Sequence, residues 1–367
     1  MPPYLQRIGK IQALLRRRKI DGLLVSQPEN RRYLSGYSAL DHGIAESSGL
    51  LLIPAKGDSW LLTDFRFKLQ AEAEAGFLHV GLYPKGVLAL LREMLPDLGI
   101  RTLGFESEYS LYSFAEKLKG LGAKIGLQLL PTTGLVEKIR LIKDEDELAK
   151  LRASVELNEK VFDEVYSSLA PGQTENEIAL AIESTMRRMG AESPSFNTIV
   201  ATGPNSALPH AVPGFTVVER EQPLMIDMGL ILDGYCSDMT RAFVLGDPDD
   251  RFLAIHRLVR RAQLAAIEAI RDGVVAAKVD KIARDIIAAA GYGQAFGHSL
   301  GHGVGLAVHE EPRLSSRNRK QLRAGMVVTV EPGIYIPGWG GVRLENMVVV
   351  REDGCELLNK NSTWLDI

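Results

Sequence analysis

Four carboxylates and a cluster of imidazoles are the residues of this chain whose types and spacing could do chemistry. Asp227 and Asp238 flank Asp233-Gly234, a dipeptide that readily supplies the two positive φ values of a type I′ hairpin turn. The run around it, Pro223 to Leu245, is apolar and β-prone and reads as a hairpin. If Leu232 pairs with Tyr235, Gly229 lies opposite Asp238, and Asp227 shares the sheet face of Gly229. The two aspartates are then diagonal neighbours about 7–8 Å apart at the backbone, near enough for both carboxylates to reach one point. Two anions on a largely buried surface repel unless a cation or a shared proton lies between them, and a divalent metal meets that need. Glu331 and Glu345 end two later strand-like runs, Val327 to Glu331 and Val342 to Asn346. Nitrogen comes from Gly297 to Pro312, where His298, His302 and His309 fall within twelve residues, among glycines that let the backbone approach a ligand closely.

Four carboxylates and one imidazole carry more negative charge than one cation neutralises, so two metal ions are expected. Such a pair, about 3.5–4 Å apart, acidifies a water and polarises the carbonyl under attack. The hard, oxygen-rich donor set favours manganese, with cobalt, iron or zinc as alternatives, and disfavours thiol-preferring ions.

The elements that must position these groups recur in order. Asp144 to Leu169 carries apolar residues at helical spacing, Pro171-Gly172 ends it, and Thr174 to Glu177 is a capping box that opens a second helix to about Met189. A strand around Phe196 to Ala201, a loop ending at His210 and the hairpin follow. Helices over Arg251–Arg271 and Val279–Ala290, the glycine- and histidine-rich segment and the strands of Met326–Val350 repeat that order. Asp227 to Glu331 spans 104 positions and Asp238 to Glu345 spans 107, a near-constant offset that suggests an internal duplication with both halves feeding one site. Residues 1 to about 133 alternate short helices with strands at Gly22–Val25, Gly49–Ile53, Trp60–Thr63 and Leu103–Phe105, an α/β domain without a ligand cluster. The boundary is expected near Pro131–Gly134.

Composition sets the outer limits. With 367 residues, 46% of them hydrophobic and 24% charged, the chain supports two globular domains. A net charge of -3 argues against a nucleic-acid surface. No apolar run reaches membrane-spanning length, and two cysteines, Cys236 and Cys355, fit a reducing, cytoplasmic setting rather than a disulfide framework.

Asp227, Asp238 in Ser-Asp-Met-Thr-Arg, His302 in Gly-His-Gly-Val-Gly, Glu331 in Thr-Val-Glu-Pro-Gly-Ile-Tyr and Glu345 in Val-Arg-Leu-Glu-Asn together resemble the dinuclear metallopeptidase family. That family includes methionine aminopeptidase, prolidase and Xaa-Pro aminopeptidase, with creatinase as a metal-free relative. The resemblance implies an α+β protein of two domains. Residues 1–133 would form a creatinase-type N-terminal domain, and residues 140–367 a pita-bread catalytic domain with an internal pseudo-twofold repeat. Thr63-Asp-Phe-Arg66 is similar to a Thr-Asp-x-Arg of the proline-directed members and, with the extra domain, separates the chain from methionine aminopeptidase.

By the same resemblance Asp227 chelates one metal, Asp238 and Glu345 bridge both, and His302 and Glu331 bind the second. Glu331 would also shuttle a proton to the leaving nitrogen. His309 would donate to the oxyanion, His210 would hold the scissile carbonyl or the proline side, and Arg313 would bind a substrate carboxylate. Arg343, sharing the strand face of Glu345, is a candidate partner for a metal carboxylate, and His298 a hydrogen-bonding neighbour. The implied activity is Xaa-Pro aminopeptidase, on proline-containing peptides, with Xaa-Pro dipeptidase as the alternative and a creatinase-like hydrolase or pseudo-enzyme further off. A homodimer is expected because family members are often dimers.

Overall fold

A computed structural model describes residues 3–367, which divide into two compact units, the first ending at Arg140 and the second running Leu141–Ile367. The first unit runs α1 (Pro3–Arg18), β1 (Gly22–Val25), α2 (Pro28–Ser35), β2 (Leu50–Pro54), β3 (Trp60–Thr63), α3 (Lys68–Glu74), β4 (His79–Leu82), α4 (Val87–Asp97), β5 (Thr102–Glu106), α5 (Tyr112–Ile125), β6 (Gln128–Thr132) and α6 (Glu137–Arg140). Its strands form one mixed sheet in the order β4-β3-β2-β1-β5-β6. Leu24, Leu50, Leu52, Leu62 and Leu103 pack there against Leu91, Leu95 and Leu118 of the helices. Pro131 and Thr132, expected at the boundary, are instead the end of β6. A proline is tolerated there because β6 is an edge strand, where the lost N–H leaves no partner wanting. The division falls after Arg140, whose guanidinium donates to Asn30 Oδ1 at 2.7 Å within the first unit.

The second unit is built twice over. Its first half comprises α7 (Glu145–Ser167), α8 (Glu175–Arg188), β7 (Ser193–Pro194), β8 (Ile199–Thr202), β9 (Pro223–Met228), β10 (Leu230–Leu232), β11 (Tyr235–Cys236) and β12 (Met239–Val244). The second comprises α9 (Asp250–Ala269), α10 (Ala276–Ala289), β13 (Gly301–Gly303), β14 (Glu310–Leu314), β15 (Val327–Val330), β16 (Gly333–Ile336), β17 (Gly340–Arg343), β18 (Asn346–Val350) and β19 (Cys355–Leu357). Capping boxes open both early helices, Asp144 with Glu147 and Thr174 with Glu177, so two otherwise orphaned N–H groups at each end find partners.

Strand order expresses the repeat directly. The sheet β12-β9-β8 and the core β18-β15-β13 of the five-stranded sheet both set a preceding strand beside the first arm of a hairpin. Each half has its own helix-on-sheet core. Phe162, Ile178, Ile182 and Met186 pack on Leu224, Ile226 and Phe243 in the first, and Phe252, Val259, Val279 and Ala283 on Val328, Val330 and Leu344 in the second. The strands of Met326–Val350, expected as one pair, are two: β15 with β18, and β16 with β17, on a single register broken at Glu331-Pro332 and Leu344-Glu345.

Candidate metal centre

The first hairpin has the register that its turn dictates. Asp233 and Gly234 take φ of 48° and 84°, Leu232 faces Tyr235, and Thr240 faces Asp227. On that register Gly229 falls opposite Asp238. No side chain fits there, because a Cβ on Gly229 would stand 2.0 Å from the Ser237 carbonyl oxygen and 2.3 Å from Ser195 Oγ. Asp227 therefore reaches the site from two residues further along the same face. In the second hairpin the break puts Glu331 directly opposite Glu345. Backbone N–H groups at the break turn elsewhere, that of Glu331 to Leu300 O at 2.8 Å and that of Glu345 to Thr240 O at 3.1 Å.

All five residues line one cavity of about 620 Å³, and ligand atoms of Asp238, His302 and Glu345 lie within 4.8 Å of one another. His302 Nε2 is 3.6 Å from Asp238 Oδ2 and 3.3 Å from Glu331 Oε1. Its Nδ1 lies 3.1 Å from Gly303 O. A carbonyl only accepts, so Nδ1 carries a hydrogen. Against burial, Glu331 raises the pKa of the ring, so the metal-free imidazole holds a second proton at Nε2 toward the acids, one that a cation would displace to take the lone pair. Asp227 Oδ1 and Glu345 Oε1 are buried without a hydrogen-bond partner. Burial, and after it the neighbouring acids, push Asp238 and Glu345 well above the usual carboxylate range. Asp227 is raised by burial too, against the pull of Arg343. Glu331 alone is lowered: burial opposes its charge, but the hydrogen bond and charge of His302 outweigh it. Crowded acids, orphaned oxygens and an imidazole nitrogen directed at them fit a divalent cation, which takes the place of the retained protons and the missing donors at one stroke.

Around these groups lies a hydrogen-bonded frame. Arg343, fully buried, donates from Nη2 to Asp227 Oδ2 at 2.6 Å, from Nε to Thr240 Oγ1 at 3.0 Å and from Nη1 to Tyr335 Oη at 2.8 Å. Thr240 Oγ1 donates in turn to Glu345 Oε2 at 2.7 Å. One threonine thus ties the first hairpin to an acid of the second. His298 does not touch the carboxylates: its Nδ1 donates to Ser299 O at 2.8 Å, leaving Nε2 to accept from Tyr335 Oη at 2.9 Å. Burial holds its pKa down, in keeping with a neutral ring.

Residues 149–352 match metallopeptidase family M24, and residues 7–142 match the creatinase/prolidase N-terminal domain. The chain belongs to metallopeptidase family M24. It is 36% identical to the Xaa-Pro dipeptidase of Pyrococcus horikoshii over 98% of both chains. An Xaa-Pro dipeptidase structure from Bacillus anthracis superposes with a TM-score of 0.90 at 36% identity, covering 98% of each chain. An X-Pro aminopeptidase structure from Thermotoga maritima gives 0.86 at 37% identity, covering 94% of this chain and 96% of the other. The chain is accordingly a two-domain α+β hydrolase with a divalent-metal site.

In this M24 chain the same cavity also gathers His210, His309 and Arg313. The His309 ring stands 4.3 Å from that of His302, edge to face, and burial followed by the His302 and Arg313 charges lowers its pKa. His210 sits at the exposed mouth, and the exposed Arg313 guanidinium forms no ion pair with any described residue. Cys236, although of the same strand parity as Asp238, lies within 3.6 Å of Leu306 O and does not line the cavity. Sequence reasoning missed Thr240 and Tyr335. The only available signal for Thr240 was its parity with Asp238. Arg343, expected as a partner for one of these carboxylates, binds Asp227 across the hairpins.

Proposed function

We propose that this chain hydrolyses the bond between an N-terminal residue and proline, with two divalent cations held by Asp227, Asp238, His302, Glu331 and Glu345. The observation that carries the reading is the convergence of three buried acids, the half-buried Glu331 and one imidazole nitrogen in a single cavity beside His309 and His210. Bound there, the cations would lower the pKa of a water to about 7 and polarise the scissile carbonyl. Glu331 would accept a proton at its carboxylate and return it to the proline nitrogen as the bond breaks. That nitrogen carries no hydrogen of its own, so it leaves only when protonated. His309 would donate to the substrate oxygen as negative charge builds on it, a task for which an imidazole held neutral by its lowered pKa is suited. His210 would contact the proline side at the mouth. Thr240 and Arg343 would keep Glu345 and Asp227 in place.

Arg313 favours a dipeptide. A guanidinium without a protein anion, in the cavity, matches a free carboxylate two residues from the N-terminus, where a longer peptide would present a neutral amide. Manganese is the proposed native metal on ligand hardness. The two free cysteines support a reducing, cytoplasmic setting, and a homodimer is proposed from the family. The test is release of alanine from alanyl-proline and from alanyl-prolyl-alanine with Mn²⁺ present. Cleavage of the dipeptide is expected, with Arg313→Ala raising its KM about tenfold and leaving the tripeptide unaffected. Cleavage of neither by metal-loaded protein would remove the assignment.

A further inference from the structure

Breaking a ladder strands carbonyls, and inside a protein these need donors. In the second hairpin they are the oxygens that immediately precede the two glutamates, Val330 O and Leu344 O. Both accept from one side chain: Gln263 Nε2, on α9, lies 3.1 Å from the first and 3.0 Å from the second. In the first hairpin the corresponding oxygens are Met228 O and Ser237 O. Asn158 Nδ2, on α7, donates to Met228 O at 3.1 Å, and Ser195 Oγ donates to Ser237 O at 3.0 Å.

Asn158 and Gln263 are both fully buried, stand on the first helix of their respective halves and are 105 positions apart, inside the 104–107 offset of the acids. The Gln263 amide has a fixed sense. Its oxygen accepts from Arg260 Nη1 at 2.8 Å, and turning it over would set an oxygen against two carbonyl oxygens. Arg260 is anchored in turn to Asp366 through Nε–Oδ1 at 2.8 Å and Nη2–Oδ2 at 3.2 Å. A continuous hydrogen-bonded path therefore runs from the C-terminal segment through α9 to the peptide units that carry Glu331 and Glu345. Asn158 holds only one oxygen, and its own Oδ1 has no partner.

We propose that Asn158 and Gln263 are a repeat-related pair of positioning residues whose amides fix the broken hairpins and so set the affinity of the centre for metal. The inference rests on the metal-binding reading above. Neither side chain lines the cavity, so each acts through the backbone next to a carboxylate. Gln263, spanning both strands, has the larger share.

The test uses the full chain stripped of metal. Mn²⁺ is titrated calorimetrically, and thermal midpoints are recorded with and without Mn²⁺. Gln263→Met should weaken Mn²⁺ binding about 10- to 100-fold and shrink the midpoint gain on loading, with Asn158→Leu smaller in both. A merely structural role would lower both midpoints equally and leave the affinity within twofold of wild type, which overturns the proposal. Should Gln263→Met not fold, Arg260→Met decides: it leaves the Gln263 donors in place but frees their anchor. Mn²⁺ binding at least threefold weaker supports the proposal, and unchanged binding overturns it. Wild-type protein that binds no Mn²⁺ removes the metal reading and this inference with it. Tight wild-type binding with unaltered variants removes this inference alone.

Discussion

The two hairpins that supply the acids share a break and differ in register. In the first, Asp227 sits diagonally from Asp238 because Gly229, directly opposite, has no room for a side chain. In the second, Glu331 and Glu345 face each other directly across the gap. A shorter carboxylate is paired with the diagonal and a longer one with direct opposition. The break itself, with its preceding carbonyls held by side chains, is what the halves have in common. Cross-ties are equally uneven: Thr240 and Arg343 reach from one hairpin to an acid of the other, whereas His302 engages Asp238 and Glu331 together. The lesson is that a duplicated scaffold can keep its backbone device while the side chains diverge around it.

The comparison breaks most severely if an acid loses its charge. Glu345→Gln should lower kcat/KM by about 10³-fold, the equivalent of about 4 kcal/mol, as one of the carboxylates proposed to hold metal is lost. The same change should raise the thermal midpoint of metal-free protein, because it removes a carboxyl whose charge is disfavoured first by burial and then by the neighbouring acids. Opposite signs in kinetics and in metal-free melting are the expected signature. A fall in both would mean that the acids are not mutually repelling.

Gly229→Ala tests the steric half of the contrast. Its Cβ would meet backbone at 2.0 Å, so chemical denaturation should show a loss of about 3–5 kcal/mol. Gly338, in the second turn, has a φ of 79° but open space around it. Gly338→Ala should lose only about 1–2 kcal/mol of left-handed strain. Equal losses would show that the close approach at Gly229 is not what displaces Asp227. A smaller effect is expected from Thr240→Val, which removes the hydroxyl joining Arg343 to Glu345. Calorimetry should show Mn²⁺ binding weakened about tenfold, and the melting of metal-free protein changed little.

What could be read from the sequence was whatever depended on local pattern. The Asp233-Gly234 turn fixes a period-two register, so the diagonal of Asp227 and Asp238 follows without knowledge of the fold. In the first unit the strands that escaped notice were β4 and β6, both edges of the sheet and only partly buried, so that neither shows the continuous apolar run of β2 or β1. The partner of Arg343 was not legible, because parity along a strand says which face a side chain takes and nothing about the hairpin packed above that face. Gln263 and Asn158 were hidden for a related reason. A lone amide on an otherwise amphipathic helix reads as solvated, and only the break in a strand far along the chain makes it a donor in demand.

The two hairpins also differ in how their acids titrate, and pH can sharpen that difference. Asp227 and Asp238 are both raised, by burial first, whereas the second hairpin splits into Glu345 raised and Glu331 lowered. A raised carboxyl keeps in the native state a proton that the unfolded chain releases above about pH 4, so metal-free stability falls as pH climbs from there. His302 acts in the same direction. Burial opposes its charge but Glu331 raises its pKa, so its contribution is full below about pH 6.5 and is lost as pH rises through the folded value. Glu331 works the other way, stabilising above about pH 4.3 and ceasing to as pH falls. Three raised acids and a raised imidazole outweigh one lowered acid. Melting in a chelator should therefore decline between pH 5 and 8, by at most about 1.4 kcal/mol per pH unit for each proton retained. Melting with Mn²⁺ should not decline, since the cation takes the place of those protons and binds more tightly as they leave. The metal-dependent gain accordingly widens with pH. Asp238→Asn, which deletes a proton-retaining group from the first hairpin, should flatten the chelator curve. A chelator curve that is already flat in the wild type would mean that the acids stand too far apart to share a site.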